Sequence, residues 1–246
     1  MPITDRGSTT LSRDDIPMAR RLVSPALKPR GAFRRGLLAS GLVLGSALVL
    51  AGVFSQPLQR WLAPPPVAGL QAKPDGDGRL LNHFPYAEAP AAELQSIAPG
   101  LLLRRDAASA LMAMQQAAVA DGVDLRVLSG FRSIGLQKAL FFDVKSDRNQ
   151  SAQERAQVSA PPGYSEHSTG FAVDLGDGRD PASNLSSDFE RTEAFAWLKA
   201  NANVFHFHLS FPRGNRQGVS YEPWHWRFEG SADALKTFDP AQRLGF

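Results

Sequence analysis

Ser165-Glu166-His167-Ser168-Thr169-Gly170-Phe171-Ala172-Val173-Asp174 is the stretch from which the rest of the chain is best read. It starts as a polar loop, crosses a glycine and ends as a short apolar run that carries an aspartate. Glycine has no Cβ, so Gly170 lets the backbone turn sharply from loop into strand. His167 and Asp174 can then point at one ion. Glu222-Pro223-Trp224-His225 offers a second histidine on a separate strand, and Ser129-Gly130-Phe131-Arg132-Ser133 lies upstream. Two histidines and an aspartate form a three-ligand set of the zinc type, which leaves one coordination position for water. Glu222 could take a proton from that water, and Arg132 could hold a substrate carboxylate. His-x6-Asp alone is a loose pattern, and a single histidine is more often structural, so spacing leaves both readings open.

Periodicity around these segments predicts an α+β fold, a small antiparallel sheet with flanking helices. Asp106 reads as the N-cap of a helix with Ala107, Ala110, Leu111, Met114 and Ala118 on one side, ended by Gly122. Residues 125–128 read as a strand, 133–145 as a helix, and 150–163 as a polar loop with a helical turn. Residues 172–175 read as a strand and 192–201 as a helix. Residues 205–211 alternate strictly, with Phe205, Phe207, Leu209 and Phe211 on one face and His206, His208 and Ser210 on the other. Residues 221–228 read as the last strand, with Trp224 and Trp226 turned away from the site into the core. His206-x-His208 can bind metal, but an exposed polar strand face is the commoner use of such a pair. His83 is expected at the surface, and Glu166 as a solvated or structural carboxylate rather than a second base.

Charge is unevenly spread. Residues 1–35 hold eight basic and three acidic residues, a balance of +5 in a chain whose total is +3, which leaves −2 for the remainder. A slightly acidic globular part argues against a nucleic-acid partner. An uncharged apolar run from Gly36 to Gln56 follows directly. It is long enough for a membrane-spanning helix, which needs about 20 residues, and the preceding charge places the N-terminus in the cytoplasm. A cleavable signal peptide is the alternative, but the run exceeds the usual h-region of about 7–15 residues and ends without a small-x-small site. The expected organisation is a disordered basic cytoplasmic tail (1–35), one transmembrane anchor (36–56), a Pro/Gly-rich linker (57–80) and an extracytoplasmic domain (81–246). The chain has no cysteine, which excludes disulfides, a thiol nucleophile and cysteine-ligated zinc.

Three motifs in this order resemble the VanY-type zinc D-alanyl-D-alanine carboxypeptidases of the LAS group of metallopeptidases. Ser-x-His-x-x-Gly-x-Ala-x-Asp is matched from Ser165 to Asp174, Glu-x-Trp-His from Glu222 to His225, and Ser-Gly-Phe-Arg-Ser from Ser129 to Ser133, with Gln137 shortly after. The match covers roughly residues 85–230. The resemblance implies that His167, Asp174 and His225 bind Zn2+, that Glu222 is the general base and that Arg132 anchors the substrate. Ser165 and Gln137 would help place the peptide. The implied substrate is the stem peptide of peptidoglycan, cut at its C-terminal residue beside the cytoplasmic membrane. His206-Phe207 stands where relatives often have Gly-Phe, and His208 where they have an aliphatic residue, which bears on fine specificity.

Two rival readings are open. An endopeptidase of the same group would cut inside the stem, for example at an L-alanyl-D-glutamate bond. A non-catalytic wall-binding domain would need to have lost a ligand or the base, and none is missing from the motifs. Ser-x-x-Lys and His-Glu-x-x-His occur nowhere in the chain, which argues against a serine carboxypeptidase and a metzincin-like protease.

Overall fold

A computed structural model describes residues 67–244. The expected tail, anchor and first part of the linker lie outside the described residues. Among the described residues no helix is long and apolar enough to cross a membrane. The chain runs β1 (Leu94–Ala98), β2 (Leu101–Arg104), α1 (Arg105–Ala120), β3 (Leu125–Ser129), α2 (Ile134–Asp147) and α3 (Ala152–Ala156). It continues with β4 (Ala172–Asp177), α4 (Glu193–Asn201), β5 (Phe207–Leu209), β6 (His225–Phe228) and α5 (Ala232–Leu244). β1 and β2 form a hairpin, and the other four strands form one antiparallel sheet in the order β3-β4-β6-β5.

The sheet is built around β4, which is buried at every position. Successive side chains of a strand face opposite ways, so one strand can serve two environments. Val173 and Leu175 enter the apolar core with Leu103, Leu111, Met114, Phe171, Phe195, Trp226 and Phe228. Each large side chain fully buried there contributes about 1.5–3 kcal/mol. Asp174 faces the other way.

Local chemistry explains the element ends. Ser133 caps α2, its hydroxyl accepting from the Leu136 N–H at 3.1 Å. Ser151 and Glu154 form a reciprocal capping box on α3. Gly122, at φ +78°, ends α1, and the Val123 N–H reaches back to the Ala118 carbonyl.

Four expectations need correction. Asp106 is not the cap of α1: β2 runs straight into the helix, Arg104 holds the cap position without a side-chain bond, and Asp106 lies in the first turn, where its charge suits the helix dipole. The strand expected over 205–211 shrinks to Phe207–Leu209. Ala202–Phe205 winds into a 3-10 turn after α4, and His206 closes it in the left-handed region at φ 61°. Alternation therefore starts only at Phe207. Phe211 leaves the expected core face and sets its ring 5.0 Å from that of His225. The last strand begins at His225 rather than 221, because the His225 N–H closes a turn onto the Glu222 carbonyl and Pro223 has no N–H for a ladder. His83 is buried, its Nε2 2.7 Å from the Ala156 carbonyl, not exposed. Leu80, at the expected linker end, is also buried.

Candidate metal centre and its cleft

Strand register assembles the centre. Asp174 on β4 pairs with His225 on β6 to one side and with Ser129 on β3 to the other. Directly opposed residues share a face at close spacing, so Asp174 and His225 converge. His167 arrives from outside the sheet, on a 3-10 turn over Glu166–Thr169. Gly170 follows at φ +72° and turns the chain into β4; the Gly170 N–H donates to the His167 carbonyl, and its own carbonyl accepts from the Arg104 N–H at 2.9 Å. The Arg132 N–H donates to the His167 carbonyl at 3.1 Å, and the Ser168 hydroxyl to the Arg132 carbonyl at 2.9 Å. Two of the sequence segments are thus laced together by one main-chain bond and one side-chain bond to the main chain.

His167, Asp174 and His225 are buried, and one potential ligand atom from each lies within 4.8 Å of the others. His167 Nε2 is 3.2 Å from Asp174 Oδ2, and His225 Nδ1 is 3.1 Å from Asp174 Oδ1. The remaining ring nitrogens are occupied. His167 Nδ1 is 2.8 Å from the Gly130 carbonyl, and His225 Nε2 is 2.9 Å from Glu166 Oε2. With a metal bound, the acceptor at each of those outer nitrogens would keep the proton there and leave the inward nitrogen free to ligate. His167 Nε2, Asp174 and His225 Nδ1 therefore suit a divalent ion that prefers nitrogen and oxygen donors. Among the described residues no other group of this kind occurs; His206 and His208 are not part of one, and His208 Nε2 instead stands 3.9 Å from Glu229 Oε2.

Electrostatics separates the carboxylates. Burial alone would raise Asp174, but His167 and His225 outweigh it and hold the carboxyl well below the usual range. Burial would likewise raise Glu166, yet Arg227, His225 and the Ser210 hydroxyl, donating at 2.6 Å, pull it to about 2. Burial would lower His225, but its hydrogen bonds to Asp174 and Glu166 carry it to about 10. Burial depresses His167, against the pull of Asp174. Glu222 goes the other way: burial, with Asp174 and Glu166 nearby, pushes it up to about 7 despite His225 and Arg132. Its Oε2 lies 3.9 Å from His225 Nδ1, at the centre's edge.

A cleft of about 480 Å3 opens over the centre. Arg132, Ser165, Glu222 and Trp224 line it, as do His83 and Phe211. The arginine donates from Nη1 to Gln137 Oε1 at 3.0 Å and from Nη2 to Ser129 Oγ at 3.1 Å. Gln137 itself is fully buried behind it, its amide tied to Ser159 Oγ and the Ala160 carbonyl. It does not reach the cleft and positions Arg132 instead. Trp226 is core, as expected; Trp224, which precedes the strand, packs against the core and also lines the cleft. Glu166 is structural rather than solvated. Its partner Arg227 is 1% exposed, and the sequence signal for it is the i, i+2 alternation from His225, which puts a charge on the site face and so demands a buried carboxylate.

Fold and centre together define an α+β protein with a metal-competent, three-residue site at the floor of a cleft. A family model described as VanY, D-alanyl-D-alanine carboxypeptidase, matches residues 100–231. The chain belongs to the VanY family. It is 36% identical over 141 residues to a Bacillus subtilis (strain 168) protein, YodJ, that carries the name of a carboxypeptidase, covering 54% of this chain and 48% of the relative. It is 33% identical over 156 residues to a D-alanyl-D-alanine carboxypeptidase of Enterococcus faecalis (strain ATCC 700802 / V583), covering 59% and 55%. The chain thus spans about half the length of the curated relatives it matches. The solved structure of the LdcB LD-carboxypeptidase superposes with a TM-score of 0.53 at 29% identity, covering 64% of this chain and 77% of that one.

Proposed function

We propose that this protein is a zinc-dependent D-alanyl-D-alanine carboxypeptidase that removes the C-terminal residue of peptidoglycan stem peptides. The observation that carries the reading is the buried His167–Asp174–His225 cluster, its outer ring nitrogens backed by the Gly130 carbonyl and Glu166, with Glu222 raised to about 7 at its edge. Family membership and the names of its relatives supply the substrate class.

His167 Nε2, Asp174 and His225 Nδ1 would hold the zinc. Zinc bound there supplies a Lewis acid and a bound water of lowered pKa. Glu222 accepts the proton of the attacking water on its carboxylate and returns it to the nitrogen of the departing residue. A base works best with a pKa near the working pH, which burial has arranged. Arg132, fixed by Gln137 and Ser129, pairs with the terminal carboxylate and selects for a chain end. Ser165, on the cleft wall, would help place the peptide. Glu166 and the Gly130 carbonyl keep the two rings in register.

The apolar run 36–56 after a basic tail supports a single-pass anchor with the N-terminus in the cytoplasm and the catalytic domain outside the membrane, where stem peptides are. The test is mass analysis of zinc-loaded protein with synthetic stem penta- and tetrapeptides, as free acids and as C-terminal amides. Release of one residue from the pentapeptide acid, and little from the amide, is expected. Cleavage of the tetrapeptide acid only would move the reading to an LD-carboxypeptidase. Equal cleavage of acid and amide would replace it by the endopeptidase alternative.

A further inference from the structure

One wall of the cleft carries cations that the mechanism above does not use. Arg155, on α3, is 8% exposed and lines the cleft. Its Nη2 donates to the Leu140 carbonyl at 3.3 Å, and its buried Nε has no hydrogen-bond partner. Among the described residues no carboxylate forms an ion pair with it. Arg148, exposed at the C-terminal end of α2, lines the same wall and is equally without an ion-pair partner among the described residues. Burial, then the like charges of Arg148 and Arg132, push the Arg155 guanidinium below its ordinary value. A largely buried guanidinium without a carboxylate partner is expensive, and an anion in the cleft that it lines would offset that cost. The three acidic residues of the cleft are committed elsewhere. Glu166 is bound to Arg227 and His225, Asp174 to the histidines, and Glu222 stands at the centre's edge.

We propose that Arg155, with Arg148 at the rim, binds a second carboxylate of the substrate, carried on a side chain upstream of the scissile bond. This rests on the carboxypeptidase reading, in which Arg132 takes the C-terminal carboxylate and leaves Arg155 for another anion. A cleft of about 480 Å3 has room for more than a terminal residue. The substrate class that fits is a stem peptide whose diamino acid is itself a dicarboxylate. A lysine in that place brings the same terminal ammonium but lacks the carboxylate that would pair with the two arginines.

The test uses two pentapeptides that both end in D-Ala-D-Ala and differ only in meso-diaminopimelate or lysine at the third position. Binding is measured calorimetrically on zinc-loaded full-length Glu222→Gln protein, so that nothing is cleaved, and products of the unsubstituted protein are weighed in parallel. The diaminopimelate peptide should bind about 10- to 100-fold more tightly, the effect of one charge-assisted contact. That ratio should approach one when Arg155→Met is added, and should fall part of the way with Arg148→Ala, an exposed change that leaves the fold alone. Equal binding of the two peptides, or a preference that survives both changes, overturns the proposal. C-terminal cleavage without preference would remove the anion site and keep the carboxypeptidase reading. Preference without cleavage would keep the site and remove that reading.

Discussion

Glu166 and Glu222 are both largely buried beside His225, and their surroundings send them in opposite directions. Glu166 has Arg227, Ser210 and His225 as partners and is held to about 2, so it stays an anion that steadies a ring. Glu222 has no such set and sits at about 7, so it can exchange a proton near neutral pH. Different losses follow. Glu222→Gln keeps the shape and removes the proton acceptor; zinc content should be unchanged while kcat falls by about 10²–10⁴-fold. Near wild-type turnover in a zinc-replete variant would take Glu222 out of the mechanism. Glu166→Gln should instead lower zinc affinity by about 10–100-fold, the usual effect of losing a carboxylate behind a ligating histidine. Competition with a chelator measures it, and unchanged affinity would show that Glu166 does not orient His225. The pH profile has a definite sign: Glu222 must be ionised to act, and a bound cation beside it lowers its pKa from the metal-free value of about 7, so kcat/KM should rise with pH and level off at or below about 7. A profile flat from pH 5 to 8 would assign the proton transfer elsewhere.

Between elements, what the sequence can reveal depends on how local the cause is. Ser133 as a cap, Gly122 as a stop and the alternation of Val173, Asp174 and Leu175 are decided within a few residues, and those elements fall where periodicity puts them. His206 breaks the 205–211 pattern because the preceding turn, not the side chains, sets its backbone. His83, Phe211 and Arg155 become cleft residues only through distant packing, which spacing does not encode. The centre was more legible because its parts are motifs: Gly170 has to sit between His167 and Asp174. A Cβ there would lie 3.0 Å from Leu94 Cδ2 and 3.1 Å from Arg104 Cγ, at a φ that alanine adopts only under strain. Gly170→Ala should therefore cost about 1–2 kcal/mol or more in stability and also weaken zinc binding, because it moves His167 against Asp174. Thermal unfolding and zinc titration together check this; a variant that melts like wild type would mean the turn is not under constraint.

At the scale of the whole molecule, the metal and the fold are coupled through one proton. Without metal, His225 lies between two carboxylates and holds a proton up to about pH 10, against an ordinary value of 6.5. The folded state binds this proton more tightly than the unfolded chain does. The resulting stability is complete below about pH 6.5 and is lost as the pH rises toward 10. Glu222, raised from 4.5 to about 7, contributes in the same direction at lower pH, so it does not mask the trend above neutrality. A metal needs the same nitrogen bare. Loading therefore expels the proton, zinc affinity climbs with pH, and the loaded protein is not exposed to the alkaline loss. Because a ligand that binds only the folded state stabilises it in proportion to the logarithm of its affinity, the benefit of zinc should grow with pH. Melting temperatures with chelator and with excess zinc, taken at intervals between pH 6 and 8.5, measure it. In chelator the melting temperature should decline across that range, and the gap to the zinc-loaded protein should widen. A gap that stays constant with pH would mean that no proton leaves His225 on loading, and the Asp174–His225–Glu166 arrangement would then not be the metal-free state of the centre.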